Sequence, residues 1–278
     1  MKKILIFFIS MTVTINANAQ GKDFREMPAK ILAAKTGGDA KLAMDLTNDY
    51  LDNYLFKLKE NELMTKDNLL FICQNMFNTT SRCFKFLNNN RDKVNAVLGN
   101  DMAEYALRAT ISKQFIPNEN EWEKVKIDWD LLENSLGSKF GQLGREMVLG
   151  KRMMYYLKIK DWTNFGKYYV FYFEKALERP EYNINDITWH LFLNVNNPVA
   201  LKFAIDVVMK YAMVEWYQND YHAYDTYANL LYKIGRIKEG LEWEEKAVKL
   251  SQQNKEVVET LEKMRRGQQT WIATLDNP

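Results

Sequence analysis

Residues Asp225 to Leu250 read DTYANLLYKIGRIKEGLEWEEKAVKL, and this stretch decides the fold. Tyr224, Tyr227, Ala228, Leu231 and Ile234 recur at three- and four-residue intervals, the period of one helix face. Gly235-Arg236 interrupts the run, and Ile237, Gly240, Leu241, Ala247 and Val248 resume it on a second helix. A hairpin of two such short helices cannot bury both apolar faces by itself, so it must stack on neighbours. Gly240 lies inside the second helix, where glycine costs about 1 kcal/mol relative to alanine, which predicts a close approach of helices there.

Working outward, the same period predicts helices over residues 40–58, from Thr65 onward, after the Asn78–Ser81 turn, and near 121–136, 138–158, 162–178 and 185–195. On the first, Leu42, Leu46, Tyr50, Leu51 and Tyr54 mark the apolar face. Asn197 followed by Pro198 forms a favoured helix start, and Ala200, Phe203, Ala204, Val207, Val208 and Tyr211 continue it as one apolar stripe. Pro28, Pro117, Pro180, Pro198 and Pro278 all avoid helix interiors, where proline costs about 3 kcal/mol. No alternating β-branched run bounded by turn residues occurs. The predicted class is all-α, with an N-terminal helical region over 20–118 and a second over 119–278 that ends in a polar capping helix at 254–266.

The first nineteen residues differ from the rest. Lys2 and Lys3 precede an apolar run from Ile4 to Ile15, and Ala17-Asn18-Ala19 stands before Gln20. That is the pattern of a cleaved export signal, with cleavage between Ala19 and Gln20. Its run is shorter than the roughly 20 residues a membrane helix needs. The chain has 38 basic and 36 acidic residues, and loss of Lys2 and Lys3 leaves 36 of each. A mature chain of that balance offers no net field for nucleic acid or an anionic membrane.

Cys73 and Cys83 flank the Asn78–Ser81 turn. In an oxidising compartment they would form a disulfide worth about 2–3 kcal/mol; the other reading is two buried thiols on separate helices. His190 and His222 belong to no metal-binding spacing, so neither a metal nor a cofactor is expected. GQLGREMVLGKR (Gly141–Arg152) is not a phosphate loop, because the glycine spacing is too long and Arg152 replaces the required hydroxyl residue. Trp162, Trp189, Trp216 and Trp243 are evenly spaced, yet their flanking residues do not match, and WEEKAVK reads as an outward surface.

The 225–250 hairpin resembles a tetratricopeptide (TPR) repeat: Tyr224, Tyr227, Ala228, Leu231, Gly235, Gly240, Ala247 and Val248 occupy that family's large, small, turn and packing places. Glu244 stands where an aromatic is usual, with Trp243 beside it, and Ser251-Gln252 replaces the closing proline. An earlier unit is in register 40 positions upstream, Leu201 with Leu241 and Phe203 with Trp243, and FEKALERP (Phe173–Pro180) ends one before that. LMTKDNLLFI, TSRCFKFLNNNRDK and NNPVALKFAIDVVMKYA are similar to the helical portion of secreted thioredoxin-associated proteins of Bacteroidetes-type bacteria, without their C-x-x-C pair.

These resemblances imply stacked antiparallel helix hairpins in a right-handed TPR-like solenoid, degenerate in its N-terminal half. They also imply a protein or peptide partner, held in a groove lined by His222, Asp225, Asn229, Tyr232 and Lys233. The expected function is an exported, non-catalytic binding or assembly module of the bacterial cell envelope. The alternative is an accessory to periplasmic thiol–disulfide chemistry.

Overall fold

A computed structural model describes residues 24–99 and 101–271. Among them every regular element is a helix. The chain divides into two compact units, the first ending at Gln114 and the second beginning at Phe115.

The first unit contains α1 (Met27–Thr36), α2 (Ala40–Asn53), a 3-10 turn (Leu55–Lys57), α3 (Glu60–Leu63), α4 (Lys66–Gln74), α5 (Arg82–Asn89), α6 (Arg91–Leu98) and α7 (Met102–Phe115). The Asp39 carboxylate accepts from the Leu42 amide at 2.9 Å and starts α2; the Ser81 hydroxyl accepts from the Phe84 amide at 3.2 Å and starts α5. Each side chain takes up one of the amides a helix leaves unpaired at its start. Ile31, Tyr50, Leu55, Leu69, Ile72, Leu87, Val94, Leu107 and Ile111 form the core. On α2 the buried face is not the one the leucines suggest: Ala43, Thr47, Tyr50 and Leu51 point inward while Leu42 faces water. Thr47 tolerates burial because its hydroxyl donates to the Ala43 carbonyl at 2.7 Å.

The second unit runs through a 3-10 turn (Glu119–Glu121), α8 (Trp129–Phe140), α9 (Gln142–Lys158), α10 (Trp162–Ala176), α11 (Ile184–Asn194), α12 (Pro198–Phe203), a π turn (Ala204–Met209), α13 (Lys210–Glu215), α14 (Tyr221–Lys233), α15 (Ile237–Leu250) and α16 (Lys255–Arg265). Aspartate or asparagine caps most of these starts: Asp128, Asp161, Asn183, Asn197, Asp220 and Asn254 each accept from an amide of the first turn. The helix expected over 121–136 begins only at Trp129. Before it, Trp122 is buried and its indole N–H donates to the Pro117 carbonyl at 3.0 Å.

Consecutive helices fold back on one another, α8 on α9, α9 on α10, α14 on α15 and α15 on α16. Glycines set two of these contacts. A Cβ on Gly144 would lie 2.2 Å from the Leu136 carbonyl oxygen, and one on Gly240 would lie 3.1 Å from the Ala228 oxygen. The close approach predicted at Gly240 is present, and a tighter one exists at Gly144. Phe165, Tyr169, Phe173, Leu191, Phe192, Ile205, Val208, Leu230 and Leu231 form the continuous core of this unit.

Candidate partner-binding face

The α14–α15 hairpin was expected to present a groove. Asp220 caps α14 by accepting from the His222 amide at 3.0 Å, and His222 itself is exposed, its ring 3.9 Å from that of Tyr221. The other four residues are taken up by packing. Asn229 is wholly buried, and its amide nitrogen donates to the Asp225 carbonyl and the Asp225 Oδ1, both at 2.9 Å. Tyr232 is buried beside Ala228 and Met264, with its hydroxyl donating to the Met264 carbonyl at 3.2 Å. Lys233 is half-buried; its ammonium donates to the Phe192 carbonyl and lies 5.5 Å from the Phe192 ring and 5.3 Å from that of Trp271. Asn229 and Tyr232 therefore do not line an open groove. The physical reason is α16: Met264 covers the end of α14, and the residues after α16 bring Trp271 over Lys233.

Glu244 is the second departure. A charged residue in WEEKAVK reads as solvent-facing, yet Glu244 is fully buried on α15. Burial, then the charge of Asp225, pushes its carboxyl up to about 10, and burial also raises Asp225. Hydrogen bonds from Glu244 and Asn229 partly offset the rise at Asp225. A fully buried carboxyl beside a half-buried one cannot readily ionise while its neighbour is charged, so the pair holds one proton, on Glu244. Trp243 takes the aromatic place instead, edge-on to Tyr224 and Tyr227 with ring centroids 5.1 and 5.3 Å away, and Lys246 stands 3.7 Å over it. Trp243 as the substitute aromatic could be read from the repeat's places; the burial of the Glu244 carboxyl could not, because charged residues ordinarily face water.

Cys73 and Cys83 are both free thiols in the structure, half-buried on α4 and buried on α5 respectively. Burial pushes Cys73 up to about 11 and Cys83 up to about 12, leaving little thiolate at neutral pH. Ala19 and Gln20, the expected cleavage residues, lie outside the described residues. Gly141–Arg152 enters a helix, as expected, with Gly141 at positive φ between α8 and α9. Among the described residues no group of three histidine, cysteine or carboxylate side chains could hold a metal ion. No described helix is long and apolar enough to cross a membrane.

An aligned exposed apolar surface lies on the rod made by α12, the π turn and α13. Ala200, Ala204, Val208 and Ala212 are buried, as are Leu201, Ile205, Met209 and Met213. Both rows step by four residues. The row beside them, also stepping by four, faces outward: Val199 is 70% accessible, Val207 is exposed, and Phe203 and Tyr211 are half-covered. An α-helix turns in 3.6 residues, so a step of four drifts by about 40° each time. The wider π turn, closed by i→i+5 hydrogen bonds, absorbs that drift and keeps the row straight. Val207 and Tyr211, expected within one stripe with Ala200 and Ala204, instead belong to this outer row. Trp216 extends it, edge-on to Tyr211 at 5.2 Å. One border is pinned by Asp206, which accepts from Lys202 and, at 3.0 Å, from Arg236. These hydrogen bonds hold the Asp206 carboxyl below the usual carboxylate range, against the opposing effect of burial.

No family model matches the chain, and neither a curated protein nor a solved structure is found that is similar to it.

Proposed function

We propose that this chain is an exported, non-catalytic helical-repeat protein of the bacterial cell envelope that binds a protein or peptide partner. In this reading its helix hairpins stack as a TPR-like right-handed solenoid, and the partner lies on the outer row of α12 and α13. The observation that carries the reading is the outward row Val199, Phe203, Val207 and Tyr211, which steps by four and in which both valines are exposed, with Trp216 edge-on to Tyr211. Scattered exposed valines need no explanation, but an aligned apolar row flanked by aromatic rings marks a contact surface. Its four-residue spacing suits the apolar side of an amphipathic helix laid along it. The self-packed α14 face supports moving the site from His222, Asp225, Asn229, Tyr232 and Lys233 to this row.

The test is a pull-down from periplasmic extract with wild type and with Val199→Glu plus Val207→Glu. Both positions are exposed, so the variant should keep the helix content and melting temperature of wild type. A partner retained by wild type and lost by the variant supports the reading; identical partner sets overturn it. Export is tested separately, by recovering the protein from the periplasm and sequencing its N-terminus. The expected first residue is Gln20, and an uncleaved chain kept in the cytoplasm removes the envelope from the proposal.

A further inference from the structure

We propose that the cleft between α4 and α7 in the first unit binds a small amphiphilic anion, a hydrocarbon body about eight to ten carbons long ending in one carboxylate. The cleft has a volume of about 280 Å³. At about 30 Å³ for each water-sized group, that is room for roughly nine or ten methylene-sized units.

Its walls are chemically one-sided. Leu70, Met76 and Phe77 line it from α4 and the turn that follows, and Met102, Tyr105 and Ala109 from α7. Phe77 is 46% and Tyr105 50% accessible, while their neighbours Ile72 and Leu107 are completely buried. Two large rings thus remain uncovered at an apolar hollow. The space comes from α7 itself, where positions 102, 106, 109 and 113 share one helix face and two of the four are alanine. Thioether side chains at the wall can adjust to a chain of variable shape.

Few polar groups compete for the interior. The Thr110 hydroxyl is turned onto its own helix, donating to the Ala106 carbonyl at 3.0 Å. Cys73 contributes a thiol that stays neutral at physiological pH. No acidic side chain lines the cleft, and Lys113 closes the α7 row. Lys113 is exposed, and among the described residues it has no ion-pair partner. An apolar hollow with one unpaired ammonium at its edge favours an anion over a cation or a neutral chain of equal length, because only the anion gains that contact.

The test uses the full mature chain and isothermal calorimetry with hexanoate, octanoate and decanoate, each below its micellar range, beside decanol and decylammonium. The expected result is saturable binding of one ligand per chain, tightening about four-fold per added methylene until the cleft is full. Decanoate should bind at least ten-fold more tightly than decylammonium. Ala109→Trp, at an exposed position that leaves the core intact, should weaken decanoate at least ten-fold. Lys113→Gln should bring decanoate close to decanol without altering decanol. Absence of saturable binding overturns the proposal, as does equal affinity for decanoate and decylammonium, or decanoate binding that Ala109→Trp leaves unchanged.

Discussion

The Glu244 carboxyl of α15, fully buried, faces the Asp225 carboxyl of α14 across the hairpin, and burial together with the charge of Asp225 keeps it protonated. His222 and Glu256 are the other charged groups that bear on Asp225, the first favouring its charge and the second opposing it.

That pair makes stability depend on pH. In the unfolded chain Glu244 loses its proton near the ordinary value of 4.5; in the folded chain it keeps it up to about 10. Between those values the folded state binds more protons, so stability falls as pH rises, by at most about 1.4 kcal/mol per pH unit for one proton. The melting temperature should drop from pH 5 to pH 8. Glu244→Gln, which has no proton to lose, should flatten that slope and raise the melting temperature at pH 8 by several degrees. A slope unchanged in the variant would show that the proton is held elsewhere.

Lys233 acts in the opposite direction at higher pH. Burial pushes its ammonium down to about 8, below the ordinary 10.5. Between about 8 and 10.5 the folded state binds fewer protons at this site, which raises stability with pH and counters Glu244 there. Reductive methylation with labelled formaldehyde, followed by NMR, should show one methyl-lysine signal with a midpoint near 8. Its loss in Lys233→Met would assign it.

How much of this was legible in the sequence depends on the scale at which each feature is decided. The 225–250 hairpin, its Gly235 turn at positive φ and the tight contact at Gly240 follow from local period and from what glycine permits, so they could be read directly. Glu244 lies on the face the period predicts, with Gly240, Ala247 and Val248, but that a carboxyl is tolerated there in its neutral form is decided by its surroundings and not by the period. The cover placed on Tyr232 by Met264 joins positions 32 apart, and no short-range rule contains it. The π turn carries no proline or glycine to announce it; ALKFAIDVVMKYA simply repeats its apolar residues every four positions, and that repeat was the available signal.

Glycine substitutions separate the two tight contacts. Alanine for glycine inside a helix ordinarily stabilises by about 1 kcal/mol. At Gly144 the new Cβ would meet a backbone oxygen at 2.2 Å, so Gly144→Ala should instead destabilise by about 3 kcal/mol. At Gly240 the nearest atoms stand at 3.1 Å, and Gly240→Ala should stay within about 1 kcal/mol of wild type. Urea unfolding of both variants measures the difference; equal effects would contradict the α8–α9 contact.

The thiols give a chemical readout. With their acidities pushed to about 11 and about 12, Cys73 and Cys83 should resist iodoacetamide at pH 8 in the folded protein. In denaturant and without reductant, both should be labelled and the mass should rise by two adducts. A protein that takes no label until reductant is added contains the bridge instead.

The π turn between α12 and α13 amounts to one residue more than an unbroken α-helix needs. Removing a single residue from 204–209 would restore ordinary winding and rotate everything beyond it by about 100°. Tyr211 would swing off the line of Val199, and the methionine at 213 would leave the interior. The segment therefore works as a phase setter: a length change of one residue, with almost no change in composition, decides whether this surface is continuous or broken.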